Sequence, residues 1–284
     1  MDAEILRRLP RALADAVTRY PAYEKIEEIR LRQGKHVCVT VAGGNHVLAV
    51  VCDGDMFREC LQNLCANSLY SHAETIRDGY ISVPCGVRVG VCGQAVLRDG
   101  KMTGVREITS LCIRLPHRVY GIAKPLYTQM RDGGFLDNVL IYSLPGQGKT
   151  TLLRELIPYL STGANALRLA VIDTRYELYM ESADDMADVL YGYPRSVGME
   201  CAIRTLSPQM ILCDELMTAE DQAALGECVR CGIPVCATMH AASWAEIAPD
   251  FRRYFTLFCA VSVLVDGTHR YTYQDRNGEM LCTV

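Results

Sequence analysis

Ser143-Leu-Pro-Gly-Gln-Gly-Lys-Thr-Thr151 places a lysine and two hydroxyls directly behind a glycine-rich loop, a set of residue types suited to gripping phosphate. Gly146 and Gly148 let backbone N–H groups turn inward, and a helix expected from Thr150 would aim its positive end at the same point. Lys149 would reach the β- and γ-phosphates of a nucleotide, and the Thr150 hydroxyl would ligate Mg²⁺. Pro145, Gly146, Gln147, Gly148, Lys149, Thr150 and Thr151 are therefore the expected ATP-binding residues. Ser143 stands where the strict Walker A pattern has its first glycine, and a Cβ there would strain a left-handed backbone. The competing reading is a glycine-rich turn that binds nothing; the apolar strand before the loop and the helix after it favour the phosphate grip.

A second group follows in Gln209-Met-Ile-Leu-Cys-Asp-Glu215, four apolar residues ending in two acids. Carboxylates at the C-terminal end of a buried strand sit at the ligand edge of a parallel sheet. Asp214 is expected to hold Mg²⁺, and Glu215 to orient or deprotonate the attacking water. Asp173-Thr-Arg-Tyr-Glu177 ends another apolar run, so Glu177 or Asp173 either helps to position water or metal or belongs to a charged loop. His240, after the strand that follows Asp214–Glu215, either senses hydrolysis or is structural. Cys228 and Cys231 form a CxxC with Cys236 nearby, but a zinc site needs a second pair at matching spacing, and a helix end is the simpler reading.

These residues need a scaffold, and the chain changes pattern along its length. Ala3–Tyr20 has helical apolar spacing, and Asp55–Asn67 is amphipathic. Glu28–Arg32, His36–Val41, His46–Val51 and Ser110–Leu115 read as strands, as do Gly79–Pro84 and Val87–Val96 around Cys85–Gly86. Arg98–Lys101 reads as a hairpin turn. From Asn138 onward strands and helices alternate, which predicts a parallel sheet covered on both faces. Thr256–Val265, Arg270–Gln274 and Met280–Val284 read as added strands. The expected fold class is α/β: a RecA-like P-loop NTPase core over 137–284, a smaller N-terminal α+β domain over 1–120, and a linker at 121–136 carrying Pro125 and Gly133–Gly134.

The 284 residues are half hydrophobic and 22% charged, the balance of a packed chain rather than a disordered one. Met1–Pro10 is charged with no long apolar stretch behind it, so no signal peptide is expected, and the longest apolar run, Phe255–Val265, is too short to span a bilayer. A cytoplasmic location follows, with the 14 cysteines as small buried thiols. Residues 1–130 carry 17 Lys and Arg against 13 Asp and Glu, and residues 131–284 carry 12 against 20. The acidic second half and the single Trp speak against nucleic acid as a partner. Arginine dominates the basic half, and Arg30, Arg32, Arg88 and Arg114 lie on expected strands. Arginine suits a fork-like grip on phosphate, so these four are candidates for reaching the ATP of an adjacent subunit; ordinary surface charge is the alternative.

Glu27-Glu-Ile-Arg-Leu-Arg32, Gly79-Tyr-Ile-Ser-Val-Pro84, Val87-Arg-Val-Gly90, Ser207-Pro-Gln209 and Ala237-Thr-Met-His-Ala241 together resemble the stage III sporulation protein AA family across nearly the whole chain. The last two motifs are similar in type to those of secretion and pilus ATPases, whose Walker A, acidic box, Walker B and His box would fall on Gly146–Thr151, Asp173–Glu177, Asp214–Glu215 and Ala237–Ala241. The resemblance implies a hexameric ATPase with ATP bound between subunits. It also implies a place at the membrane on the mother-cell side, docked on membrane proteins of a channel that links mother cell and forespore. Two other classes stay open from the residues alone: a nucleic-acid translocase, and a nucleotide-binding scaffold with little turnover.

Overall fold

The computed structural model describes residues 3–66, 68, 72–84, 86–116, 119–179, 186–264 and 268–284. Asn67, Cys85 and Val265, which the expected elements included, lie outside them. The chain divides into two compact units, Met1–His117 and Arg118–Val284.

The first unit is a six-stranded sheet in the order β3-β2-β1-β6-β5-β4. Its strands are β1 Ile26–Arg32, β2 Lys35–Val41, β3 Gly44–Cys52, β4 Tyr80–Val83, β5 Val87–Arg98 and β6 Lys101–Arg114, and every neighbouring pair is antiparallel. Alternation decides its two faces. Ile29, Leu31, Val39, Val89, Leu111 and Ile113 point into a core shared with Leu13 and Val17 of helix α2 (Arg11–Thr18) and Phe57, Cys60 and Leu64 of α3 (Gly54–Leu64). The alternate residues form a polar face. Asp53 caps α3 by accepting the Met56 N–H at 2.8 Å, and a short helix, α4 (Ala73–Arg77), precedes β4.

Two elements differ from the sequence expectation here. The single helix expected over Ala3–Tyr20 is two, α1 (Ala3–Arg8) and α2, because Pro10 offers no N–H and becomes the residue before α2. The strand expected over Ser110–Leu115 extends back to Lys101, so β5 and β6 continue past the sheet as a two-stranded ribbon.

The second unit is an eight-stranded sheet in the order β14-β13-β12-β7-β11-β10-β8-β9. The strands are β7 Val139–Ser143, β8 Leu169–Asp173, β9 Ala187–Tyr191, β10 Met210–Cys213, β11 Val235–His240, β12 Leu257–Val263, β13 His269–Gln274 and β14 Met280–Thr283. From β12 to β9 all pairings are parallel; β13 and β14 join antiparallel, so the sheet is mixed. Successive residues of one strand feed opposite cores. Val139 and Ile141 pack with Leu152 and Leu156 of helix α6 (Lys149–Ser161). Leu140 and Tyr142 share the other core with Met199 and Ala202 of α7 (Arg195–Thr205) and Ala224 and Leu225 of α8 (Ala219–Arg230).

The stretch 121–136, expected as a linker, is instead the start of this unit. It contains α5 (Lys124–Asp132), whose Leu126 and Met130, one turn apart, are buried in the α6 core. Pro125 opens that helix rather than breaking one. The carboxylate of Glu155 on α6 accepts the N–H groups of Gly121 and Ala123 and ties the segment down. Strand β9 was not anticipated: as an edge strand it buries only Leu190.

Among the described residues no helix is long and apolar enough to cross a membrane. The described cysteines are free thiols. Cys228 is buried inside α8 and Cys231 is exposed just past its end.

Candidate nucleotide site

Parallel strands bring their C-terminal ends to one edge of the sheet. Register fixes which residues meet there: His240 lies opposite Ser143, Cys213 opposite Ala237, and Cys213 opposite Ile172. The chain leaving β7, β8, β10 and β11 at that edge surrounds a cavity of about 290 Å³. Gly146, Gly148, Lys149, Thr150 and Thr151 line one side; Asp214, Glu215, Thr238 and His240 line another; Arg175 and Glu177 close it.

The loop after β7 turns through Gly146 (φ +78°) and Gly148 (φ +85°), left-handed values that favour glycine. At Gly148 a Cβ would also lie 2.9 Å from Nε2 of His269. Ser143, where strain was anticipated, is the last residue of β7 and is not left-handed. Its side chain is used: Ser143 O at 3.0 Å, Ser143 Oγ at 3.2 Å and Leu144 O at 3.1 Å all lie within hydrogen-bonding distance of Lys149 Nζ and share its protons. Burial pushes the Lys149 ammonium below its ordinary value, while the nearby carboxylates Asp214 and Glu215 oppose that shift.

Lys149 Nζ also lies 2.9 Å from His240 Nδ1. An ammonium can only donate, so Nδ1 is the accepting nitrogen and the ring proton sits on Nε2. That nitrogen is 3.0 Å from Glu215 Oε1. His240 thus bridges the lysine and the glutamate. The other oxygen, Oε2, is 2.6 Å from Arg175 Nη1 and 3.9 Å from Arg195 Nη2. Glu215 has φ +51°, a left-handed conformation that its neighbours must hold in place. Thr238 does part of that work: its Oγ1 accepts the Glu215 N–H at 2.8 Å and donates to Asp214 Oδ1. The second oxygen of Asp214 accepts from the Thr150 hydroxyl at 3.0 Å.

Asp173 is drawn away from this chemistry. It is buried, and its carboxylate accepts the N–H groups of Glu177, Leu178 and Tyr179 at 2.8–3.2 Å. Burial raises its pKa, and those three donors pull the other way. Asp173 therefore shapes the loop that presents Glu177 and Arg175. Gln147 and Pro145 also do not line the cavity: the Gln147 side chain accepts the Val263 N–H at 2.9 Å, and Pro145 is exposed.

The four candidate arginines, Arg30, Arg32, Arg88 and Arg114, share the polar face of the first unit's sheet. Arg30 donates twice to Glu28, and Arg114 Nε is 3.3 Å from the same carboxylate. Arg88 lies across from Arg114 in register, 5.3 Å from the centre of the Tyr80 ring. Arg32 contacts the Cys38 sulfur at 4.0 Å.

Sequence reasoning missed Arg175, Arg195 and Thr238. Arg175 and Thr238 stand inside motifs singled out for their acids and histidine. Arg195, at the start of α7, carried no signal; its Nε donates to the Asp214 carbonyl from a distant part of the chain.

The residues fit a nucleotide with Mg²⁺ on chemistry as well as position. Thr150 Oγ1 and Asp214 Oδ2 are adjacent hard oxygens, and Mg²⁺ is usually held by one or two carboxylates plus phosphate oxygens. The left-handed glycines leave the loop backbone open to phosphate.

The fold can now be placed. The ATPase DotB of Legionella pneumophila superposes with a TM-score of 0.64, 16% identical, over 94% of this chain and 82% of that one. The pilus retraction motor PilT, solved with bound ADP, gives 0.59 at 14% identity, over 99% and 83%. The molecule shares the α/β fold of these ATPases. Within that class, the chain belongs to the family described as Sporulation stage III, protein AA, which it matches over residues 3–254. Stage III sporulation protein AA of Bacillus subtilis (strain 168) is 30% identical over 264 residues, 88% of this chain and 86% of that protein.

Proposed function

We infer that this chain is an ATP-hydrolysing motor with a RecA-like P-loop core, energising a sporulation channel complex between mother cell and forespore. One observation carries the reading: Lys149, the Thr150–Asp214 oxygen pair and Glu215 converge on one cavity at the sheet edge where a left-handed glycine loop opens a helix. Lys149 and the loop N–H groups hold the β- and γ-phosphates. Bound Mg²⁺, held by Thr150 and Asp214, would neutralise charge on the phosphate oxygens. Glu215 orients a water and takes its proton, and His240 keeps Glu215 in register with Lys149. Glu177 faces the same cavity as a second group for placing water. A hexameric ring at the membrane, on the mother-cell side and docked on channel proteins, fits the family and the likeness to DotB and PilT. In such a ring Arg30, Arg32, Arg88 and Arg114 would serve the site of a neighbouring subunit.

The test is Mg²⁺-dependent phosphate release from ATP measured against protein concentration, beside Lys149→Ala and Glu215→Gln. A rate per subunit that rises with concentration, and falls about a hundred-fold or more in both variants, is expected. Tight nucleotide binding with no turnover above the variants at any concentration would instead favour a binding scaffold. That second reading has one observation behind it: both oxygens of Glu215 are already engaged by cationic or histidine partners.

A further inference from the structure

Three cationic side chains stand around the carboxylates of the cavity, and they are held differently. Lys149 is buried and anchored by Ser143, Leu144 and His240. Arg195 is 13% exposed and donates through Nε to the Asp214 carbonyl, with Nη1 4.0 Å from buried Asp221. Arg175 is 54% exposed, and among the described residues its ion pair is with Glu215 through one terminal nitrogen at 2.6 Å. Arg175 lines the same cavity as Lys149 and Thr150.

The backbone under Arg175 is fixed on both sides. Asp173 accepts the N–H groups of residues 177–179, and the Thr174 hydroxyl donates to Tyr193 O at 2.9 Å. Tyr176, left-handed at φ +61°, stacks on Tyr191 with ring centres 5.6 Å apart. An anchored loop carrying one long, half-exposed guanidinium is a pivot: the side chain can change partner without the loop changing shape. A terminal phosphate carries more charge than a carboxylate and presents three acceptor oxygens to a fork that matches its geometry.

We propose that Arg175 is the triphosphate-reading residue of this site, a cation supplied by the same subunit that exchanges Glu215 for the terminal phosphate of the nucleotide. The exchange does two things together. It adds a charge-assisted contact that a diphosphate cannot offer, and it removes the guanidinium from the group that must take a proton from water. Glu215 then keeps His240 as its partner. This rests on the nucleotide reading given above.

Binding of ADP and of the slowly hydrolysed triphosphate ATPγS to the full chain tests it, by displacement of a fluorescent nucleotide from wild type, Arg175→Ala and Arg175→Lys. Arg175→Ala should weaken ATPγS about ten-fold or more and leave ADP within about two-fold, and Arg175→Lys should recover part of the loss. An equal loss for both nucleotides would mean a structural role and overturn the proposal, as would an unchanged ATPγS affinity. If wild type binds neither nucleotide, the nucleotide reading itself fails and takes this one with it; if wild type binds both and Arg175→Ala does not discriminate, only this proposal falls.

Discussion

The two sheets of this molecule expose their chemistry in different ways. Among the described residues of the first unit, helices cover one side of an antiparallel sheet, so its strands alternate and its polar groups lie across the other face. In the second, the central parallel strands β7, β8, β10 and β11 are buried on both sides; their functional groups sit where the strands end. A face offers many side chains that each hold one neighbour, as Arg30 and Arg114 hold Glu28. An edge gathers groups from distant parts of the chain into contact, as Thr150, Asp214, Thr238 and His240 are gathered. The first arrangement suits recognition of something outside the unit; the second suits a bond made and broken within it.

Substitutions on adjacent residues of β6 press hardest on this contrast. Ile113 is fully buried, so Ile113→Ala should destabilise the first unit by about 2–5 kcal/mol in a denaturant titration. A loss below about 1 kcal/mol would mean that this core is not what holds the sheet. Gly148→Ala moves the test to the edge. The left-handed backbone and the approach to His269 together should cost about 1–3 kcal/mol, and nucleotide binding should fall with it. Full binding by this variant would show that the loop does not need its present shape.

Asp173 gives a smaller effect with a defined sign. Its carboxyl is raised by burial, so the folded chain holds that proton more tightly than the unfolded chain does. Its contribution is therefore complete below the ordinary carboxylate value and is lost as pH rises through the raised one. Unfolding midpoints of wild type and Asp173→Asn followed across acid pH should diverge in that direction; a constant difference would remove the assignment. Smallest of all, Arg114→Ala on the open face should leave stability within about 0.5 kcal/mol. The same variant should lower the concentration-dependent part of ATP hydrolysis if the face serves a neighbouring subunit, and an unchanged rate would reduce Arg114 to surface charge.

The same contrast explains what was legible in the sequence. Strands buried on both faces, such as Leu169–Asp173 and Met210–Cys213, appear as unbroken apolar runs, and their acidic ends announce the edge. Edge strand β9 has no such run, because solvent and a single neighbour, β8, leave it little to bury. The break at Pro10 was hidden because Leu9, Leu13 and Val17 keep helical spacing across it. Within the site, the glycine loop and the acid pair are contiguous and could be read directly. Arg195 could not: it reaches Asp214 and Glu215 only through tertiary packing, and no local pattern marks a residue whose partners are 19 and 20 positions away.

Strand β7, which leads into the glycine loop, lies between β11 and β12 in the sheet. Neither begins before Val235. During synthesis the centre of the second sheet is thus made early and hydrogen-bonded late, since its partners lie far along the chain. Until they arrive, Val139–Ser143 is an apolar strand with both edges open, a template for any passing strand. The strand that leads into the glycine loop is for that interval also an aggregation risk, and early burial of Leu152 and Leu156 on α6 can shield only one of its faces.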